Sequence, residues 1–199
     1  MAALHPAVRA SLRAVATRRL SVLPLNREDT DELEAMFAQP EVWEYEYGRG
    51  LTRDETDAFV ERQLRLWDEC GFGGCAVRDL VPTGLVGVVG LGVPTIPHDL
   101  LPAVTVGWRL SPEVWGRGYA TEAATAVLDQ AFTTMGLERV GCVTNVGNRR
   151  SVAVAERLGM TVLGETAVLS DDGGGSVTAL MLQVTRDSWC ARSISGASP

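Results

Sequence analysis

Trp115-Gly116-Arg117-Gly118-Tyr119-Ala120-Thr121-Glu122-Ala123 is the stretch whose reading decides the fold. Before it, Ala103–Leu110 reads as a β-strand. After it, Ala120, Ala123, Ala124, Val127, Leu128, Ala131, Phe132 and Met135 recur at the i, i+3, i+4, i+7 spacing of one helix face. The spacing predicts a helix from about Gly118 to Met135, stopped by Gly136. A strand that runs through glycines into a helix aims free backbone N–H groups and the positive helix end at one point, which suits a phosphate. A tight strand–helix connection alone gives the same pattern, so these residues weigh the two readings evenly. The dinucleotide fingerprint fails because no third glycine follows Gly116 and Gly118 at the required spacing. The Walker pattern fails because all 18 basic residues are arginine.

Working outward, Arg19–Leu25 reads as a short strand. A helix starts after Asn26 with Leu33, Met36 and Phe37 as its apolar face, and Pro40 closes it. Thr52 and Glu55 form a capping box for a second helix carrying Phe59, Val60, Leu64 and Trp67. Phe72–Arg78 and Leu85–Val93 read as strands, and Val93–Pro102 as a loop containing His98. Val140–Thr144 is a strand, Asn148–Leu158 a helix, and Met160–Leu169 with Ser176–Val184 a hairpin over the Asp171–Gly175 turn. The order is β-α-α-β-β-β-α-β-α-β-β, an α/β chain with a mixed sheet and helices on its faces. Residues 1–16 are expected as an extension whose Val8, Leu12 and Val15 could share a helix face. The domain is expected over 17–190 and a tail over 191–199.

With 199 residues, 46% hydrophobic and 22% charged, the chain suits one globular domain. A net charge of −7 argues against sequence-independent nucleic-acid binding. No apolar run is long enough to span a bilayer. Cys70, Cys75, Cys142 and Cys190 lack metal-site or disulfide spacing and read as reduced thiols of a cytoplasmic protein. His5 and His98 are too isolated for a metal centre, so no metal is expected.

Together with Trp108-Arg109-Leu110-Ser111-Pro112, the opening stretch resembles the acetyl-CoA loop of the GNAT N-acetyltransferases, more narrowly the RimJ/RimL-like branch, which includes acetylases of ribosomal-protein N-termini. Further matches are Pro40-Glu41-Val42, Gly71-Phe72-Gly73, Val86-Gly87, Gly90-Leu91, Gly136–Val140, Asn148, Ser151 and Leu158-Gly159-Met160, in family order from Arg19 to Trp189. The resemblance implies a GNAT-like acyl-CoA N-acyltransferase fold with acetyl-CoA as co-substrate. It implies that Trp108, Arg109 and Leu110 lie along the pantetheine arm. The amides of Gly116, Arg117, Gly118, Tyr119, Ala120 and Thr121 would hold the pyrophosphate. Asn148 and Ser151 would stand near the thioester, and an N–H after Val106 would stabilise the oxyanion.

Two positions depart from the family pattern: Trp115 replaces a common Gln or Arg, and Ala155 replaces a tyrosine that protonates the departing thiolate. The resemblance to the branch suggests Ser151 as the acid instead. Asn148 also fits a plain helix cap. No base is named: Glu44 and Glu46 read more readily as solvated carboxylates, and Glu122 as a partner of the helix dipole. The acceptor is expected to be a primary amine, either the α-amine of a (ribosomal) protein or a small molecule such as a polyamine, amino sugar or antibiotic. A non-catalytic acyl-CoA-binding module is the rival from another class, and a homodimer stays open.

Overall fold

The computed structural model describes residues 10–81, 83–94, 99–169 and 176–194. The readings for Val8, His98 and the Asp171–Gly175 turn lie outside these residues.

Eight strands form one sheet: β1 (Val15–Ala16), β2 (Leu20–Pro24), β3 (Gly74–Leu80), β4 (Thr83–Gly92), β5 (Thr105–Leu110), β6 (Arg139–Asn145), β7 (Thr161–Leu169) and β8 (Ser176–Thr185). Their spatial order is β1-β2-β3-β4-β5-β6-β8-β7. Every neighbouring pair is antiparallel except β5 and β6. The helices are α1 (Thr30–Phe37), α2 (Arg53–Cys70), α3 (Tyr119–Thr133), α4 (Arg149–Arg157) and α5 (Arg186–Ile194).

Alternation along the central strands sends side chains to two cores, as a period of two requires. Cys75, Val77 and Val89 join α3, α4 and α5 on one face, through residues such as Leu128, Ala155 and Trp189. Ala76 and Val88 join Leu33, Phe37 and Val60 of α1 and α2 on the other. Local signals fix the helix ends. Thr52 and Glu55 cap each other's backbone at the start of α2, and Gly71, at φ +72°, ends it in the left-handed conformation that glycine adopts without a Cβ clash.

Two elements escape the periodicity reading. The expected helix face of Leu12 and Val15 is corrected: Val15 lies in β1, which returns antiparallel onto β2, and Leu12 is buried in the main core. A strand of two residues has no period to read. The second is α5, which begins before the expected domain end at residue 190 and runs past it. Its Arg192 donates to the Arg157 carbonyl at the end of α4, and Arg186 donates to the Leu137 carbonyl just beyond α3. Arginines thus satisfy carbonyls that helix ends leave open.

Candidate active site

The parallel pair β5–β6 is matched at one position, Thr105↔Gly141, and the strands then part. The Ser111 amide donates to the Val86 carbonyl at 2.8 Å, so the ladder's alternation turns the polar groups of Gly107 and Arg109 toward β4. Those of Val106, Trp108 and Leu110 face the opening. The Leu110 carbonyl accepts from the Trp115 indole at 2.9 Å, which fits that assignment. Beyond that match the strand edge is exposed, with the Trp108 amide turned toward the opening where an extended ligand can pair. The resulting cleft has a volume of about 600 Å³.

All eleven residues singled out from the sequence line this cleft: Trp108, Arg109, Leu110, Gly116, Arg117, Gly118, Tyr119, Ala120, Thr121, Asn148 and Ser151. Gly116 and Gly118 hold φ of +74° and +78°. Gly118 is the N-cap of α3, and no side chain caps that helix, whereas Thr52 and Asn148 cap α2 and α4. The first amides of α3 are therefore left to a ligand or solvent. Thr121, 5% exposed, adds a buried hydroxyl without a partner on the same first turn. A buried orphan hydroxyl beside an uncapped helix start is suited to an anionic oxygen.

The loop is held from behind. The Tyr119 hydroxyl donates to Asp79 at 2.6 Å and accepts from Arg117 at 3.0 Å. The Tyr119 hydroxyl holds the Asp79 carboxyl below its ordinary range against opposition from burial, and Asp79 with burial raises Tyr119. Glu122 is more than a dipole partner. It accepts from the Thr17 hydroxyl at 2.6 Å, the Arg19 amide at 3.0 Å and the Arg19 guanidinium at 2.7 Å. Burial pushes the Glu122 carboxyl up, but Thr17 and Arg19 outweigh it, leaving it below the usual value.

At the far end, the Asn148 side chain accepts from the Ser151 amide at 3.0 Å, the plain cap its position predicts. The Trp108 indole donates to Ser151 Oγ at 3.3 Å. An indole can only donate, so Ser151 is the acceptor there and keeps its own hydrogen for another group. Ala155 is fully buried in the core. On the other side of β5, the Arg109 guanidinium stacks 3.6 Å from the Trp43 ring centroid and binds Glu46 at 2.8 Å. Glu41, Tyr45 and Glu46 line this part of the cleft, and Glu44 does not.

Among the described residues no cysteine lines the cleft, and burial pushes the Cys75 and Cys142 thiols up to about 12, far from a reactive thiolate. The arrangement therefore favours direct transfer over an acyl-cysteine. The sequence reading missed Arg149, Arg150 and Arg157 of α4, which also line the cleft. Their signal was present: two arginines open a helix without an acidic residue in its first turn, against the helix dipole.

Residues 19–161 match the family described as "Acetyltransferase (GNAT) domain". The chain belongs to the GNAT family and is an acetyl-CoA-dependent N-acetyltransferase. The FsC-acetyl coenzyme A-N(2)-transacetylase of Aspergillus fumigatus is 31% identical over 158 residues, covering 73% of this chain and 63% of that protein. Two solved structures share the fold at 19% identity. A ribosomal-protein alanine acetyltransferase from Vibrio fischeri has a TM-score of 0.72, covering 88% of this chain and 98% of that one. A spermidine N-acetyltransferase from Vibrio cholerae, in complex with CoA and spermine, has a TM-score of 0.69, covering 87% and 99%. One backbone thus serves protein and polyamine acceptors, so the fold leaves the acceptor open.

Proposed function

We propose that acetyl-CoA lies in the cleft with its pyrophosphate on the amides of Gly116 to Thr121 and its pantetheine arm along the freed edge of β5. Its thioester would stand between the Trp108 amide and Ser151. A neutral amine attacks the thioester carbonyl, and an N–H beyond Val106 receives the oxyanion. As it collapses to the amide the C–S bond breaks, and Ser151 gives its proton to the departing thiolate. The serine hydroxyl is restored by the proton that the ammonium nitrogen sheds, directly or through water. The observation that carries this reading is the uncapped start of α3, with its orphan Thr121 hydroxyl, opening onto the gap between β5 and β6.

For the acceptor, the pairing of Glu46 with Arg109 favours an α-amine over a polyamine. A polyamine carries several cations and needs several unpaired carboxylates, and with Glu46 neutralised Glu41 is the one carboxylate of the cleft lining outside an ion pair among the described residues. An α-amine, with a pKa of about 7.7–8.0, is also more often neutral at physiological pH than a side-chain amine at about 10.4. The N-terminus of a protein, in the manner of the RimJ/RimL-like branch, is therefore the acceptor proposed.

Thermal unfolding with acetyl-CoA tests the first half. Ligand at a hundred times Kd adds about 2.7 kcal/mol, a rise of roughly 5–10 °C for a chain of this size. An unchanged melting temperature at millimolar acetyl-CoA would sink the cofactor assignment. Thiol release with N-terminal peptides, polyamines and aminoglycosides tests the second half. Turnover confined to polyamines or aminoglycosides would overturn the α-amine.

A further inference from the structure

Consecutive residues of β5 serve opposite walls of the cleft. Trp108 turns its indole to Ser151 of α4. Side chains alternate along a strand, so Arg109 projects to the other face, onto Trp43 of the second core. Arg109 has little to offer an extended donor. Its backbone polar groups are turned toward β4, and its guanidinium is engaged three ways. It donates to the Val42 carbonyl, it donates to the two oxygens of Glu46 at 3.3 and 2.8 Å, and it stacks 3.6 Å from the Trp43 ring centroid.

Val42, Trp43 and Glu46 belong to the segment that joins α1 to α2, and Glu41, Val42, Tyr45 and Glu46 of that segment line the cleft. Behind it, Trp43 packs edge-on against Phe37 and Phe59 at 5.0 and 6.2 Å. Toward the cleft, Arg109 ties it to the central strand. Tyr45 carries the wall across to the turn before α4, where a Cβ added at Gly147 would lie 3.7 Å from its ring. Arg109 therefore fixes where this wall stands. It also fixes its charge: two carboxylates, Glu41 and Glu46, less one guanidinium leave a single negative charge. An incoming ammonium would have to displace a forked, stacked guanidinium to reach Glu46, and one point charge replaces such a contact poorly.

Resting on the α-amine reading above, we propose that Arg109 is the specificity-determining residue of the acceptor side. It positions the Glu41–Glu46 wall for an amine with one charge, and by occupying Glu46 it turns polycationic amines away. Selection of this kind works by withholding a contact from the wrong substrate as much as by making one to the right substrate.

The test measures kcat/KM by thiol release for a peptide of four alanines with a free α-amine and for spermidine. The proteins are the parent, Arg109→Gln, Glu46→Gln, the double variant and Arg109→Lys. The parent should prefer the peptide. Arg109→Gln should lose peptide turnover roughly tenfold, as for a charge-assisted contact, through the peptide KM. The same variant should gain spermidine turnover by about fivefold, the upper worth of an exposed ion pair, because Glu46 is freed. That gain should vanish in the double variant, where the freed carboxylate is gone, and the KM for acetyl-CoA should stay at the parent value throughout. Arg109→Lys keeps the charge without the fork, so its peptide KM should rise while spermidine gains nothing; this variant decides the matter if Arg109→Gln does not fold.

A peptide-to-spermidine ratio unchanged in Arg109→Gln overturns the proposal and leaves the α-amine reading standing. So does a spermidine gain that persists without Glu46 or appears equally in Arg109→Lys. A rise confined to the KM for acetyl-CoA also overturns it, by placing Arg109 on the donor. A parent that acetylates spermidine and not the peptide removes the α-amine reading, and the proposal with it.

Discussion

Arg19 and Glu122 stand 103 residues apart in sequence and form a 2.7 Å ion pair behind the glycine loop. Arg19 also donates to the Arg117 carbonyl at 2.8 Å and covers the Tyr119 ring at 4.4 Å. The turn between β1 and β2 thereby holds the loop that leads into α3. Glu122→Gln should destabilise the protein by about 1.5–3 kcal/mol, the range for a hydrogen bond to a charged group. It should also raise the KM for acetyl-CoA several-fold with kcat nearly unchanged, because the loop amides lose their fixed aim. A lower melting temperature with an unaltered KM would reduce the pair to a structural brace.

The Asp79–Tyr119 bond predicts a shape for acid unfolding. Tyr119 depresses the folded-state carboxyl of Asp79, so the stabilisation is fully present above the ordinary value of about 3.9. It is lost as pH falls through the depressed value. Tyr119→Phe should lower the melting temperature at pH 7, and the gap from the parent should narrow as pH drops from about 5 toward 3. Parallel melting curves across that range would show that the bond contributes nothing pH-dependent.

The long-period elements of the fold were legible before any coordinate. The apolar face of α3, the capping box of α2 and the glycines that stop helices each act over a few neighbouring residues, and sequence displays them directly. What stayed hidden depends on distance in sequence. The buried place of Leu12, the docking of α5 through Arg186 and Arg192, and the Glu122 network are contacts between remote segments. The site shows the same division. Gly116 and Gly118 announced themselves by spacing, whereas the stacking of Arg150 on Trp115 required the fold to bring α4 across the loop.

Gly118 offers a separation of strain from function. Its φ of +78° disfavours any side chain, by about 1–2 kcal/mol for an ordinary residue, while an added Cβ would meet only Arg19 Nη2 at 3.5 Å. The protein therefore has room for a side chain, and the space beyond the loop is where a phosphate would lie. Gly118→Ala should lower the melting temperature modestly and weaken acetyl-CoA binding more than tenfold. Gly118→Asn, which tolerates the left-handed conformation better, should recover stability without recovering affinity. Full affinity in the asparagine variant would place the pyrophosphate elsewhere.

Ser151 carries the sharpest kinetic prediction. Its Oγ accepts from the Trp108 indole, and its amide is spent on the Asn148 cap, so the hydroxyl hydrogen is the group left to act. Ala155, one helical turn further on, is buried and supplies no proton. Ser151→Ala should lower kcat and kcat/KM together by about 10²–10⁴-fold, the usual worth of a positioned acid, with little change in acetyl-CoA affinity. Trp108→Phe should have a smaller effect in the same direction, since it removes the indole that orients the hydroxyl but leaves the proton. Acyl donors with more acidic thiol leaving groups should partly rescue Ser151→Ala, because a stable thiolate departs without protonation. If kcat holds and only the KM for acetyl-CoA rises, Ser151 binds the donor, and the thiolate takes its proton from another source such as solvent.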